Sequence, residues 1–405
     1  MYNGGFFESF SILEDRREEG KVLHKLIDVI FIVVSAVICG CNEWKEIKLW
    51  SSVEPNIQWL KKYITLPNGV PSLSTMGRVF NIIDPKQFEK CFADWMKAAQ
   101  KEDEDIVSID GKTMRGTIES GKSKGVHIVS AICKSHSLVI GQVKTDEKSN
   151  EITAIPELLD MLYLKGCIVT IDAMGCQRKI AKKIIEDCKC DYVLNVKENQ
   201  PSLLDDIVHH FQDEEIQKKI ISLNTEYSMK NNNGNVGGDD SLSMVKTVEK
   251  GHGRVEMRKY YYSTNIALLI DAKKEWVGLK GVGMVERQVT SKGKKTIEYS
   301  YYIGSIKSAK QFEKAARNHW KIESMHWNLD VTYKDDANKT RKGNMPQNMS
   351  VLKKIAFNAA KKDITKHPKE SMKGKRFLAG IDFKYRDYLI ELNFKIVCPS
   401  GRTVV

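Results

Sequence analysis

Residues Val107 to Gly116 read VSIDGKTMRG. Ile106, Val107 and Ile109 are β-branched residues that suit a buried strand, and the strand ends in a carboxylate, Asp110. Gly111 directly behind the acid lets the backbone turn sharply, and two cations, Lys112 and Arg115, follow closely. An acid in this place is either catalytic or simply the first polar residue after a core strand. Partners elsewhere in the chain decide between the two.

Downstream, His127 to Cys133 and Leu138 to Thr145 are apolar runs of strand length joined by a short polar turn, Lys134 to Ser137. With the first strand they make an antiparallel meander. A helix is expected from about Ile152 to Leu164, with Pro156 in its first turn and Gly166 ending it. Then CIVTIDAMGCQ, residues 167–177, gives a second buried strand that terminates in an acid, Asp172. Arg178 to Cys188 reads as amphipathic helix, Tyr192 to Val196 as strand with Lys197, Glu198 and Asn199 at its end, and Pro201 to Phe211 as helix. Three strands, helix, strand, helix, strand, helix is the order of the ribonuclease H-like fold, an α/β mixed sheet with helices on its faces. Its first and fourth strands are neighbours, which brings Asp110 and Asp172 to one edge.

Upstream, residues 10–100 carry apolar residues at helical spacing, broken at Pro67, Asn68, Gly69 and Pro71. Ser72 or Ser74 can cap the next helix, and Asp84-Pro85 opens another. Helix, break, capped helix fits a helix-turn-helix DNA reader and equally a plain helical bundle. Residues 1–104 are therefore an all-helical N-terminal domain, joined by an acidic linker, Glu102 to Asp105, to a catalytic domain at 105–336.

A β-rich insertion at about 212–303 interrupts the catalytic domain. Asn231 to Gly238 is expected to be a mobile loop, and Lys246 to Lys250, Val255 to Ser263, Ala267 to Ile270, Trp276 to Gln288 and Thr296 to Ile303 to be strands of a small subdomain. HGRVEMR, residues 252–258, puts Arg254, Glu256 and Arg258 on one strand face, either as a cross-strand ion-pair row or as a ribbon contacting a nucleic-acid backbone. From Ser308 a long helix runs through HWKIESMHWNLDVTYKDD, residues 319–336. Glu323 lies near its middle, and His319, His326 and Asp330 share its face by their offsets.

Charge is unevenly distributed along the 405 residues. Residues 1–100 hold 12 Lys/Arg and 12 Asp/Glu, whereas residues 337–405 hold 16 Lys/Arg against 5 Asp/Glu, nearly all of the net +12. A basic segment of this kind favours a polyanion such as nucleic acid, and binding through it should weaken steeply with salt; a solvated lysine-rich face is the alternative. The segment is expected to be helical to about Lys362 with a looser end. The apolar run Val29 to Cys39 is too short for the roughly 20 residues of a membrane span. With no basic, apolar leader and nine scattered cysteines, the chain reads as cytoplasmic, with reduced thiols and no structural metal.

Asp110, Asp172 and Glu323 are the three acids at defined places, since the last helix of such a fold crosses the same sheet edge. Carboxylates held that close repel each other unless cations neutralise them. Hard divalent ions with oxygen ligands do so, Mg²⁺ first and Mn²⁺ next, and a pair of them about 3.5–4 Å apart promotes in-line displacement at phosphorus.

The segments at 108–116, 170–177, 191–201, 252–258 and 319–336, with CGCNEWKEI and PNGVPSLSTMGRVFNIIDP near the N-terminus, resemble the H-repeat-associated transposases of ISAs-type insertion sequences within the DDE superfamily. The resemblance spans nearly the whole chain and implies a magnesium-dependent DNA transposase. Its Asp110, Asp172 and Glu323 would be the catalytic, metal-binding triad, holding a pair of ions. It implies hydrolysis at the element's ends and attack of the freed 3′-hydroxyl on target DNA, by a homodimer that pairs two terminal inverted repeats. Lys112, Arg115, Lys197, Asn199, Arg254, Arg258, His319 and His326 are the expected DNA contacts. Related IS-four-like transposases carry Arg and Lys where this chain has His319 and Asp330, so Asp330 either joins the metal site or pairs with a base.

Overall fold

The computed structural model describes residues 5–97, 105–118, 120–121, 125–146, 150–229, 236–237, 241–251, 253–267 and 269–394. In chain order the helices and strands are α1 (Phe6–Ser11), α2 (Leu26–Ile38), α3 (Trp44–Ser52), α4 (Glu54–Leu60), α5 (Leu73–Ile82), α6 (Pro85–Lys97), β1 (Ile106–Met114), β2 (Val126–Cys133), β3 (Val139–Lys144), α7 (Glu151–Met161), β4 (Ile168–Ile171), α8 (Arg178–Glu186), β5 (Asp191–Val196), α9 (Pro201–Gln212), α10 (Glu214–Met229), β6 (Val236–Gly237), β7 (Leu242–Gly251), β8 (Arg254–Ser263), α11 (Ile270–Glu275), β9 (Gly281–Ser291), β10 (Lys294–Gly304), α12 (Ala309–Val331), α13 (Met345–Lys362), α14 (Met372–Ile381) and α15 (Phe383–Phe394). They form two compact units, one of residues 1–101, 111–150 and 323–405 and one of residues 102–110 and 151–322.

In the second unit the start of β1 pairs in parallel with β4, and β4 with β5. β10 then adds antiparallel to β5, and β9, β8, β7 and β6 continue outward. In the first unit β2 and β3 form an antiparallel pair with a register shift between Ala131 and Ile132, and β2 is the strand next to β1. The orders β3-β2-β1 and β1-β4-β5 are those of a ribonuclease H-like mixed sheet, preceded by the helices α1–α6.

The second unit is built on Phe312 of α12, whose ring centroid lies 5.1 Å from Tyr302, 5.6 Å from Tyr262 and 6.0 Å from Tyr260. Ala309, Ala315 and Ala316 complete that buried helix face. Gly283 on β9 leaves room for the ring, since a Cβ there would sit 2.6 Å from Phe312 Cζ. In the first unit α2 is buried along Val29–Ile38, as a core helix should be, and Ser72 caps α5 by accepting from the Thr75 N–H. Among the described residues no helix is long and apolar enough to cross a membrane.

Several local expectations are corrected. β1 does not turn at Gly111; it runs on to Met114, because the chain keeps a sheet neighbour in β2 after β4 ends. Pro156 sits in the interior of α7, which starts at Glu151 and not at Ile152. The insertion is not a purely β-rich subdomain: its strands extend the sheet through β10, and it contains the 16-residue helix α10. Ala267 to Ile270 is no strand, for Leu269 is the residue before α11 and Ile270 its first; Leu268 lies outside the described residues. Most of the acidic linker, most of the Asn231 to Gly238 loop and the last eleven residues also lie outside them, although Val236 and Gly237 form β6.

The largest correction concerns the basic C-terminal segment. It neither ends at Lys362 nor forms a solvated face, since α14 and α15 follow and α13 is buried from Asn348 to Ala360. Its cations are used as buried donors. Arg376 donates to the carbonyls of Val37, Cys41 and Thr332, and Arg386 to those of Ala379 and Gly380 and to Asn56 Oδ1. Lys375 donates to the carbonyls of Ala360 and Asp363 at 3.3 and 2.6 Å. Carbonyls left free at helix ends attract cations, which accounts for much of the local charge without a polyanion.

Candidate active site

The site starts from strand register. Ile106 to Ile109 pair with Ile168 to Ile171, so Asp110 and Asp172 are the next residues on adjacent parallel strands. Strands lie about 4.8 Å apart, and equivalent positions project to the same face. Asp172 also opens a short 3₁₀ turn, where its Oδ1 accepts from the N–H groups of Met174 at 3.1 Å and Gly175 at 3.4 Å. Gly175 has no room for a side chain, since a Cβ would collide with Ile171 Cγ2 and lie 3.0 Å from Ile155 Cδ1. Gly175→Ala should therefore displace the turn that orients Asp172, cost about 1–3 kcal/mol in urea unfolding and weaken divalent-ion binding in the same protein.

A third carboxylate joins the pair. Glu151, the first residue of α7, places an oxygen within 4.8 Å of oxygens of both Asp110 and Asp172, and all three residues are half-buried. Burial pushes the Asp172 carboxyl up, Glu151 and Asp110 push it further, and the Gly175 N–H and His319 oppose them. Three mutually repelling oxygen donors, one held against its own tendency to protonate, are the donor set of a hard divalent cation. The residues fit a metal-binding site of the DDE type.

Behind the acids a polar row ties α12 to the sheet. Ser108 and Thr170 are register partners two residues before the aspartates; the Thr170 hydroxyl donates to Ser108 Oγ at 3.0 Å, and Asn318 Nδ2 donates to the same oxygen at 3.3 Å. His319 Nδ1 lies 3.3 Å from Thr170 Oγ1. By the period of two, these side chains share the face of the acids, so the start of α12 covers that face.

The other expected residues are distributed differently. Glu323 stands exposed one turn beyond His319 and is not a member of the three-acid group. Lys112 does not stand open to a phosphate; its ammonium sits 2.6 Å from Asp330, 2.9 Å from Asp336 and 4.0 Å from Asp335. Burial pulls Lys112 down, and these carboxylates outweigh it and hold it above the ordinary lysine range. Asp330 thereby pairs with a base. Arg115 is exposed, with its backbone N–H on Asp336, and His326 is half-buried on α12.

Arg258 is buried, and it and Arg287 bind Glu256, with Arg254 at 3.7 Å, so HGRVEMR builds the cross-strand ion-pair row. Burial pushes the Glu256 carboxyl up, but the three guanidinium groups hold it below its usual range. Lys197 and Asn199 are exposed and line a cleft of about 740 Å³ with Asp172; Asn199 Nδ2 donates to the Ala173 carbonyl at 2.6 Å. Glu151 was missed because an acid opening a helix ordinarily reads as a complement to the helix dipole. The signal available was its place just before the helix that leads into the second acid-bearing strand.

Comparison with known proteins agrees with this geometry. Residues 7–96 match the family model described as DDE_Tnp_1-associated, and residues 101–359 match the transposase DDE domain. The chain is 40% identical over 398 residues to "Putative transposase YncI" of Escherichia coli O157:H7, covering 95% of each chain. It is 38% identical over 404 residues to "H repeat-associated putative transposase YhhI" of Escherichia coli K12, covering 97% of this chain and 98% of that one. The sheet order, the acid group and a domain match over more than half its length together show that the chain belongs to the DDE transposase family, alongside its H-repeat-associated members.

Proposed function

We propose that the protein cuts DNA at the ends of an insertion sequence and joins the freed 3′-hydroxyl to a target phosphodiester. The observation that carries this reading is the register of β1 and β4, which sets Asp110 beside Asp172 with Glu151 in reach. Asp110, Asp172 and Glu151 would hold Mg²⁺ or Mn²⁺, two ions in all, with Glu323 as the further carboxylate that the family resemblance assigns. Such ions activate an attacking oxygen and stabilise a leaving one. The N–H groups of Met174 and Gly175 fix the Asp172 carboxylate, while Lys197, Asn199 and Arg115 are placed to hold the strand by its phosphates. A homodimer on the paired terminal repeats is part of the proposal, as are His319 and Arg254 as backbone contacts.

The test is incubation of purified protein with Mg²⁺ or Mn²⁺, a labelled duplex ending in the inverted repeat that flanks the gene, and a plasmid target. Cleaved ends together with joined products are expected. Cleavage without joining would mean a nuclease, and retention of DNA without cleavage a binding protein. Glu151→Gln and Glu323→Gln should each lower cleavage by about a hundredfold or more, as loss of a metal-binding carboxylate requires. A Glu151→Gln protein that cuts normally would remove Glu151 from the metal site.

A further inference from the structure

The cleft beside Asp172 is larger and less polar than phosphate chemistry needs. Its mouth carries Asp172 and Lys197, and its walls include Met174, Leu204, Val208 and Tyr299. Met174 is 47% and Tyr299 53% exposed, so an aromatic and a thioether surface stand open next to an acid group. Phosphates are held by cations, N–H groups and metals, none of which calls for an apolar wall. A duplex is too wide to enter a cleft of about 740 Å³, but the volume lies in the roughly 300–1,000 Å³ range of sites that enclose one small, flat molecule. Asn195 and Gln177 add amide groups to the lining, which can meet the donors and acceptors of a base edge.

We propose that this cleft takes one unpaired nucleobase, turned out of the duplex next to the phosphate being cut. The inference rests on the reading of the acid group as the DNA-cutting site. The base stacks against Tyr299 and packs on Met174, Leu204 and Val208, while Lys197 meets the adjoining phosphate. Stacking on an aromatic ring and an apolar wall offsets part of the unstacking cost, and the displaced nucleotide exposes its own phosphate to the acids.

The test uses the full chain with terminal-repeat duplexes that carry 2-aminopurine at one position at a time, in Ca²⁺ to form the complex without cutting. A several-fold rise in fluorescence is expected at one position beside the cleavage site, and Val208→Trp, which fills the cleft, should abolish it. Tyr299→Ala, an exposed substitution that leaves the core untouched, should weaken the same signal. In Mg²⁺, Val208→Trp should cut intact duplex roughly tenfold more slowly and recover when that nucleotide is abasic, because no base then has to be housed. No fluorescence change at any position, or a Val208→Trp protein equally slow on abasic and intact DNA, would overturn the proposal. A fluorescence rise without cleavage in any divalent ion would instead sink the cutting activity and leave the nucleobase site standing.

Discussion

Asp110→Asn should leave the protein folded and lower DNA cleavage by about a thousandfold or more, the rate equivalent of several kcal/mol of lost metal-borne charge stabilisation. The same substitution should not destabilise the metal-free protein. Asp110 faces Asp172 and Glu151, so removing its charge relieves repulsion and lets the Asp172 carboxyl fall back towards its usual range. Thermal unfolding separates the two effects. Mn²⁺ should raise the wild-type midpoint by mass action and leave that of Asp110→Asn nearly unchanged. A variant that loses activity because it unfolds would show a lower midpoint without metal, and that result would remove Asp110 from the metal site.

The residues that define this site were legible because they sit where local and tertiary rules agree. Ile106–Ile109 and Ile168–Ile171 are β-branched runs buried on both faces, and parallel strands of that kind leave little choice of register. Asp110 and Asp172 follow each run directly, so their juxtaposition came with the strand order. Glu151 was hidden because its role depends on how α7 meets the sheet, which residue spacing does not encode. Gly111 misled because glycine permits a turn without requiring one. Ala267–Ile270 is a short apolar run, which periodicity cannot divide between strand and helix, and the packing of α11 decided it. The strands of the insertion were mostly located, yet nothing along the chain says that β10 pairs with β5.

Lys112 and the C-terminal segment show the opposite failure, where composition pointed outward and the fold turned the charges inward. Cations near acids or in a basic tract read as phosphate contacts because most lysines are exposed. Here Lys112 is occupied by Asp330 and Asp336, and Lys353, Lys354, Lys375, Arg376 and Arg386 are all buried. A linear count of charge cannot distinguish a lysine on a polyanion-binding face from one that closes a buried ion pair. Removing residues 337–405 would thus take away α13 from the core of the first unit, so any loss of DNA binding in that truncation would reflect unfolding.

Asp335→Ala should cost about 3–5 kcal/mol of stability, because it breaks a buried pair and strands its partner. Asp335 and Lys353 are both almost completely buried, and Lys353 Nζ donates to Asp335 Oδ1 at 2.8 Å. Lys354 lies in the same interior, where its ammonium donates to neutral groups, Gln142 Oε1 at 2.8 Å and Ser350 Oγ at 2.7 Å. Burial pulls Lys354 down to about 8, and Asp335 opposes that fall. Asp335 itself is pushed up by burial but held below its usual range by Lys353 and Lys354. The signs of the two groups differ with pH. Asp335 has a depressed folded pKa, so its stabilisation is present above the ordinary carboxylate value and is lost as pH falls through the folded one. Lys354 binds its proton more weakly in the folded chain, so stability should rise with pH from about 8 towards the ordinary lysine range, where the unfolded chain holds the extra proton. Urea unfolding at a series of pH values checks both. Asp335→Ala should lose its several kcal/mol near neutrality, and Asp335→Ala combined with Lys353→Met should regain part of it, since no unpaired cation then remains at that position. Lys354→Met should flatten the rise above pH 8, and a wild-type protein whose stability stays level there would show that Lys354 carries an ordinary lysine charge.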